Sequence, residues 1–305
     1  MRVVRLSAFA KINLGLEVLG LRQDGYHELR TLFQTIDLHD DLVLSLRKAG
    51  IVVRCDHPLV PKGSGNIVSR AAEELARFAR VGAGVEIALT KRIPVAGGLG
   101  GGSSDAAAAL LGLDRLWGLG LGPSRLHPLA RRLGADVPYF LMGGTVLGLG
   151  RGDEVYPLRH QLAAHVVVVD PERPVKTAAV FHHIDRSLTP RENSYTIFRF
   201  VSRDLEGEKG LSILTNDLEE ATLAEAPELR ETLSRIRGIL VESGCSLAAL
   251  SGSGSSYFGL FDGARQASLA RRALRSAGFK TFASRTLSLG QYRDRLSRAL
   301  GRRRT

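Results

Sequence analysis

Cysteine is nearly missing from this chain. Cys55 and Cys245 stand far apart and belong to no C-x-x-C pair, which excludes a disulfide framework and a paired-thiol redox centre. Long hydrophobic runs are missing as well. The longest apolar stretches, such as Ala106–Leu113 and Val166–Val169, are too short to span a bilayer. Arg2, Arg5 and Lys11 interrupt the first apolar segment, so it has no unbroken secretory core. The eight histidines show neither H-E-x-x-H nor zinc-like spacing, and His182-His183 point to opposite sides of any regular element. A cytoplasmic protein with no membrane segment and no histidine metal site is expected.

Acidic residues are outnumbered 31 to 42 by Lys and Arg, for a net charge of +11. Of this, +5 comes from Gln291–Thr305, where six arginines face the single Asp294. That tail reads as a solvated end. Nucleic-acid contact is disfavoured, because no aromatic residue beyond Tyr292 interleaves with the arginines. The moderately basic remainder suits an anionic small molecule. At 305 residues and 44% hydrophobic, the chain is long enough for one large domain or two ordinary ones with sizeable cores.

Period-two alternation over Lys11–Val18 predicts a strand with Ile12, Leu14, Leu16 and Val18 on one face and Lys11, Asn13, Gly15 and Glu17 on the other. Gln23-Asp24-Gly25 supplies a turn. Further strands are expected at 42–46, 51–53, 85–89, 164–170, 246–250, 257–261 and, at an edge, 279–285. A helix capped by Asn66 would bury Ile67, Ala71, Leu75 and Phe78. Asp105–Leu116 reads as a buried helix whose stripe extends to Trp117 as a core residue, and Ser124–Leu133 as one that ends on a left-handed Gly134. A helix at 229–243 follows, while residues 185–215 carry no readable pattern. Strands and helices mix without strict alternation, which favours α+β over a doubly wound sheet. A boundary is placed near Val155–Leu162, which divides the chain into 1–158, 159–290 and the 291–305 tail.

The most informative segment is Pro94-Val95-Ala96-Gly97-Gly98-Leu99-Gly100-Gly101-Gly102-Ser103-Ser104, directly before a helical pattern. Five glycines in six positions let the backbone approach a ligand and turn successive N–H groups toward one point. The following helix adds unpaired donors and the positive end of its dipole. This is a phosphate cradle, though neither a Walker A loop nor a dinucleotide fingerprint. A flexible linker is the bland alternative, and it rarely precedes so apolar a helix.

With this loop, three further segments occur in order: Ala10-Lys11-Ile12-Asn13-Leu14 with Asp24-Gly25-Tyr26-His27, Gly134-Ala135-Asp136-Val137-Pro138-Tyr139-Phe140, and Leu250-Ser251-Gly252-Ser253-Gly254. The set resembles the galactokinase–homoserine kinase–mevalonate kinase–phosphomevalonate kinase (GHMP) superfamily. Within it, the set resembles the branch whose alcohol is a CDP-linked methylerythritol of the non-mevalonate isoprenoid pathway. The resemblance implies an N-terminal domain like ribosomal protein S5 domain 2, a ferredoxin-like C-terminal domain, and a cleft between them. It implies ATP and Mg²⁺, a small-molecule substrate, and a monomer or homodimer. By the same resemblance Asp136 is the base, Lys11 stabilises charge beside it, and residues 94–104 hold the ATP phosphates. Asn13, Tyr26, His27 and Thr177 contact substrate, Gly252–Gly254 close over the phosphate end, and Ser104 is a candidate Mg²⁺ ligand.

Residue patterns alone leave blander readings open. Asp136, two positions before Pro138, reads as a helix N-cap. Lys11 reads as a solvated lysine, Tyr26 as a surface turn aromatic, and Ser251–Gly254 as a strand-to-strand turn. A superfamily kinase for homoserine, mevalonate or a sugar is the nearest rival. A basic nucleic-acid-binding protein is a more distant one.

Overall fold

The computed structural model describes residues 2–159, 162–187, 196–205 and 210–301. Arg302–Arg304 of the basic tail and part of the 185–215 segment lie outside the described residues. The first half contains β1 (Val3–Leu21), β2 (His27–Arg47), β3 (Ile51–Arg54), α1 (Ile67–Ala79), β4 (Gly84–Thr90), α2 (Gly101–Trp117), α3 (Gly122–Leu133), α4 (Val137–Met142), β5 (Thr145–Leu149) and β6 (Glu154–Pro157). The second contains β7 (His165–Asp170), α5 (Thr177–Ser187), α6 (Thr196–Leu205), α7 (Leu218–Glu225), α8 (Leu229–Glu242), β8 (Leu247–Leu250), β9 (Tyr257–Phe261), α9 (Ala264–Ser276), β10 (Lys280–Arg285) and α10 (Leu289–Ala299).

Two sheets organise the chain as an α+β fold. The first runs β3-β4-β2-β5-β6 with β1 paired to β2, and the second runs β10-β7-β9-β8. One core lies between the first sheet and α1–α4. It is filled by the alanine run 106–109 and by Gly112, where a Cβ would come within 2.8 Å of Leu6. A second core packs α5 and α7–α9 on β7 and β9. A third joins the sheets: Ala10, Ile12, Leu14, Leu32 and Ile36 meet Val166, Val168, Phe258 and Leu260. Strand β1 is therefore buried on both faces, whereas a half-buried strand shows a solvated polar side.

The alternation of β1 does not run through. A register shift between Asn13 and Gly15 inserts one residue, and an inserted residue moves every later side chain to the other face. Ile12 and Leu14 point into the inter-sheet core, but Leu16 joins the second core with Val18 packed beside it. Glu17 is consequently not on the face of Lys11 and Asn13. It is fully buried, accepts from the Thr196 hydroxyl (2.7 Å) and the Ile197 amide (3.1 Å) at the start of α6, and pairs with Arg30 (2.8 Å).

Other local expectations are also adjusted. Asn66 caps α1 through its side chain, but Phe78 is 53% exposed, and Trp117 is only half-buried against the first core. Helix α2 starts four residues early, inside the glycines. Gly134 is extended (φ 171°) rather than left-handed. The basic segment is no loose end as far as Gly301. A Ser288–Gln291 capping box opens α10, and Tyr292, Leu296 and Leu300 pack back on the first half. Among the described residues, no helix is long and apolar enough to cross a membrane.

Candidate active site

Four segments distant in sequence meet at a cavity of about 920 Å³ between the two halves. Every residue from Pro94 to Ser103 lines it, together with Lys11, Asn13, Asp136, Gly252 and Ser253. Contacts between backbones hold this arrangement. The Lys11 amide donates to the Leu99 carbonyl (3.0 Å), and Ser256 N donates to Gly97 O (3.2 Å). The Ser251 hydroxyl donates to Gly98 O (3.0 Å). At Gly98 (φ +75°) a Cβ would lie 1.9 Å from Ser251 O, so only glycine fits there. Gly252 sits where a Cβ would be 3.3 Å from Lys11 Nζ, Asn13 Oδ1 and Gly98 O alike.

Helix α2 springs from this loop with Gly100 as its left-handed cap. The N–H groups of Gly101, Gly102 and Ser103 have no acceptor within the helix, so they and the helix dipole favour an anion in the cavity. Beneath the loop, the Lys91 side chain, 4% exposed, pairs with the buried Asp40 and with Asp105 (2.7 Å). Burial raises the Asp105 carboxyl to about pH 8, with the Asp40 charge adding to the rise and Lys91 opposing it. Its Oδ1 is buried without a partner.

Lys11 Nζ lies 3.6 Å from Asp136 Oδ2 and donates to Asn13 Oδ1 at 2.5 Å. Asn13 Nδ2 donates to Thr31 Oγ1 (2.8 Å), which donates to Gly15 O (3.0 Å). This relay fixes the Asn13 amide with its oxygen toward the lysine. Burial lowers the Lys11 pKa from the ordinary lysine value, and attraction to Asp136 offsets part of the fall. Asp136 occupies the N-cap position of α4 but makes no side-chain cap bond. Its partly exposed carboxylate faces Lys11 instead. The capping alternative is thereby removed.

Family models for the "GHMP kinases N terminal domain" and "GHMP kinases C terminal" match residues 66–144 and 207–280. The chain is 37% identical over 292 residues to the 4-diphosphocytidyl-2-C-methyl-D-erythritol kinase of Acetivibrio thermocellus, covering 94% of this chain and all of that protein. It is 43% identical to the Geobacter metallireducens enzyme of the same name, covering 86% of this chain and 90% of that one. The chain belongs to the 4-diphosphocytidyl-2-C-methyl-D-erythritol kinase family of GHMP kinases. A crystal structure of a 4-(cytidine 5'-diphospho)-2C-methyl-D-erythritol kinase superposes with a TM-score of 0.76 at 37% identity, covering 92% of this chain and 98% of that one. Homoserine kinase from Cytophaga hutchinsonii, at 20% identity and a TM-score of 0.73, shares the fold.

Of the residues expected at the site, most line the cavity, and Ser104 and Gly254 do not. Tyr26 is 52% exposed at the rim, and Thr177 lines the wall with its hydroxyl 2.8 Å from that of Ser253. His27 is not an exposed turn residue. It is buried as the first residue of β2, its ring stacked on Phe181 at 4.9 Å. Ser104 does not line the cavity, because its hydroxyl donates to the Phe9 carbonyl (2.7 Å). Gly254 is also outside the lining, turned against Leu250. Phe181, Arg151 and the Lys91–Asp105 pair went unread in the sequence. Only the glycines around Arg151 offered a local signal.

Proposed function

We propose that this chain transfers the γ-phosphoryl group of ATP to the 2-hydroxyl of 4-diphosphocytidyl-2-C-methyl-D-erythritol. The observation that carries the chemistry is the Lys11–Asp136 pair, 3.6 Å apart on a cavity wall shared with the glycine loop. Phosphoryl transfer asks a protein mainly for positioning and charge stabilisation. The first-turn amides of α2 and the loop backbone hold the triphosphate. Asp136 takes the hydroxyl proton as the alcohol oxygen bonds to the γ-phosphorus and the bond to the β-phosphate oxygen breaks. Lys11 stabilises the negative charge that develops on the alcohol oxygen. Asn13 keeps one N–H and one lone pair for the polyol after its bonds to Lys11 and Thr31.

Mg²⁺ would be held mainly by the ATP phosphates, with Ser103 on the cavity wall as the protein's oxygen donor. It would neutralise phosphate charge while keeping most of its water. Tyr26, His27 and Phe181 supply the aromatic surface for cytosine. The test is ADP release with the CDP-linked polyol, homoserine and mevalonate offered separately. Turnover confined to the CDP-linked polyol is expected, and turnover with a bare alcohol at equal efficiency would overturn the assignment.

A further inference from the structure

Arg151 occupies the β5–β6 turn between Gly150 (φ +66°) and Gly152 (φ +89°), conformations that glycine adopts without strain. The turn is pinned to β2, because Leu29 N donates to Gly150 O at 2.6 Å. Beyond the arginine, a methyl on Gly152 would stand 3.7 Å from the Phe33 ring and 4.0 Å from Thr31. Arg151 thus lies alongside a row of cavity-lining residues, His27, Leu29, Thr31 and Phe33, that alternate along β2. Six residues of strand span about 20 Å. At one end stand the rings of Tyr26, His27 and Phe181. At the other, Phe33 lies 5.4 Å below Lys11 Nζ.

The guanidinium is held but not used up. It stacks 4.7 Å from the Tyr26 ring and gives one N–H to Asp153 Oδ2 (2.7 Å). The same buried oxygen accepts from Arg131 (2.8 Å), which does not line the cavity. One carboxylate is shared between two arginines, so Arg151 is only partly neutralised by Asp153 and turns its remaining donors to the cavity. On the rim, Arg22 is shared by Asp24 and Glu28, and Asp24 also attracts Arg151, so a bound diphosphate competes with that carboxylate for the guanidinium.

We propose that Arg151 binds the diphosphate of the substrate and so selects a nucleotide-linked alcohol over a bare one. The assignment rests on the CDP-linked substrate proposed above. A ligand whose base lies among the rings and whose hydroxyl meets Lys11 and Asp136 must carry its diphosphate through the middle of the row, beside this turn. A planar guanidinium with several N–H groups matches two adjacent phosphates as a lysine does not.

The test measures binding of CDP and of cytidine to the full-length protein by calorimetry, with the ATP cleft saturated by a non-hydrolysable analogue. Arg151→Gln leaves Asp153 paired with Arg131, so the turn keeps its anchor. The expected result is CDP binding weakened about tenfold to a hundredfold, the loss of a charged hydrogen bond. Cytidine binding should stay within about twofold of wild type, with partial recovery in Arg151→Lys. Equal weakening of CDP and cytidine would show that Arg151 acts only through Tyr26, and no change in either would show that it touches neither phosphate. A wild type that binds CDP no better than cytidine also sinks the proposal. The functional reading stands or falls separately, on ADP release with the CDP-linked alcohol.

Discussion

The two ends of the cavity are built in opposite ways. The phosphate end is backbone: a run of glycines, the first turn of α2, and a return loop whose Ser256 amide and Ser251 hydroxyl donate to the carbonyls of Gly97 and Gly98. The nucleoside end is side chains: Tyr26 at the turn before β2, His27 at the start of β2, Arg151 from the β5–β6 turn, and Phe181 from α5. Phosphate recognition needs many weak dipoles aimed at one point, which a contiguous motif delivers. Base recognition needs ring faces, and those can arrive from any part of the fold.

The difference can be sharpened by substitutions at each end. Of the substitutions that compare the two ends, the largest expected effect is at the phosphate end, where Lys11→Met should lower kcat about a hundredfold to a thousandfold, the size expected for losing a charge that acts in the transition state. Its melting temperature should stay near wild type, because Asp136 retains contact with water. A large fall in melting temperature with kcat preserved would make Lys11 structural. Phe181→Ala comes next. Removing one stacked ring should raise KM for the CDP-linked alcohol about tenfold and leave KM for ATP unchanged. An equal rise in both would erase the distinction between the ends.

How much was legible follows the same division. The glycine loop, the Asn66 cap and the edge strand β10 each depend on contiguous residues, and they stand where the pattern puts them. The inserted residue near Asn13 could not be read, because a bulge leaves hydrophobic alternation superficially intact while turning Leu16 and Glu17 over. Lys11 looked like a solvated lysine because nothing local reveals that the glycine loop closes over its face of the strand, where a Cβ on Gly100 would stand 3.0 Å from the Lys11 side chain and the Phe33 ring lies 5.4 Å from Nζ. Phe181 had no signal of its own. Its contact with His27 exists only after the two sheets pack together. The tail misled through composition, since its arginines concealed Tyr292, Leu296 and Leu300 at helical spacing.

The smallest expected effect lies beneath the glycine loop. Folded Asp105 holds its proton up to about pH 8, whereas an unfolded carboxyl releases it near about pH 4. Between those values unfolding releases a proton, so this group makes the wild type less stable as pH rises. Asp105→Asn cannot titrate. Its melting temperature relative to wild type should therefore climb by a few degrees from pH 5 to pH 8 and then level off. A difference that is flat with pH would contradict a proton on Asp105.

The central claim is that Asp136 performs chemistry on the alcohol instead of capping α4. Its most direct test is the turnover of Asp136→Asn, read as ADP release dependent on the CDP-linked polyol, alongside the KM for ATP and the melting temperature. The account predicts a kcat reduced about a hundredfold to ten-thousandfold, with ATP affinity and stability near wild type. Undiminished turnover in that variant would contradict it.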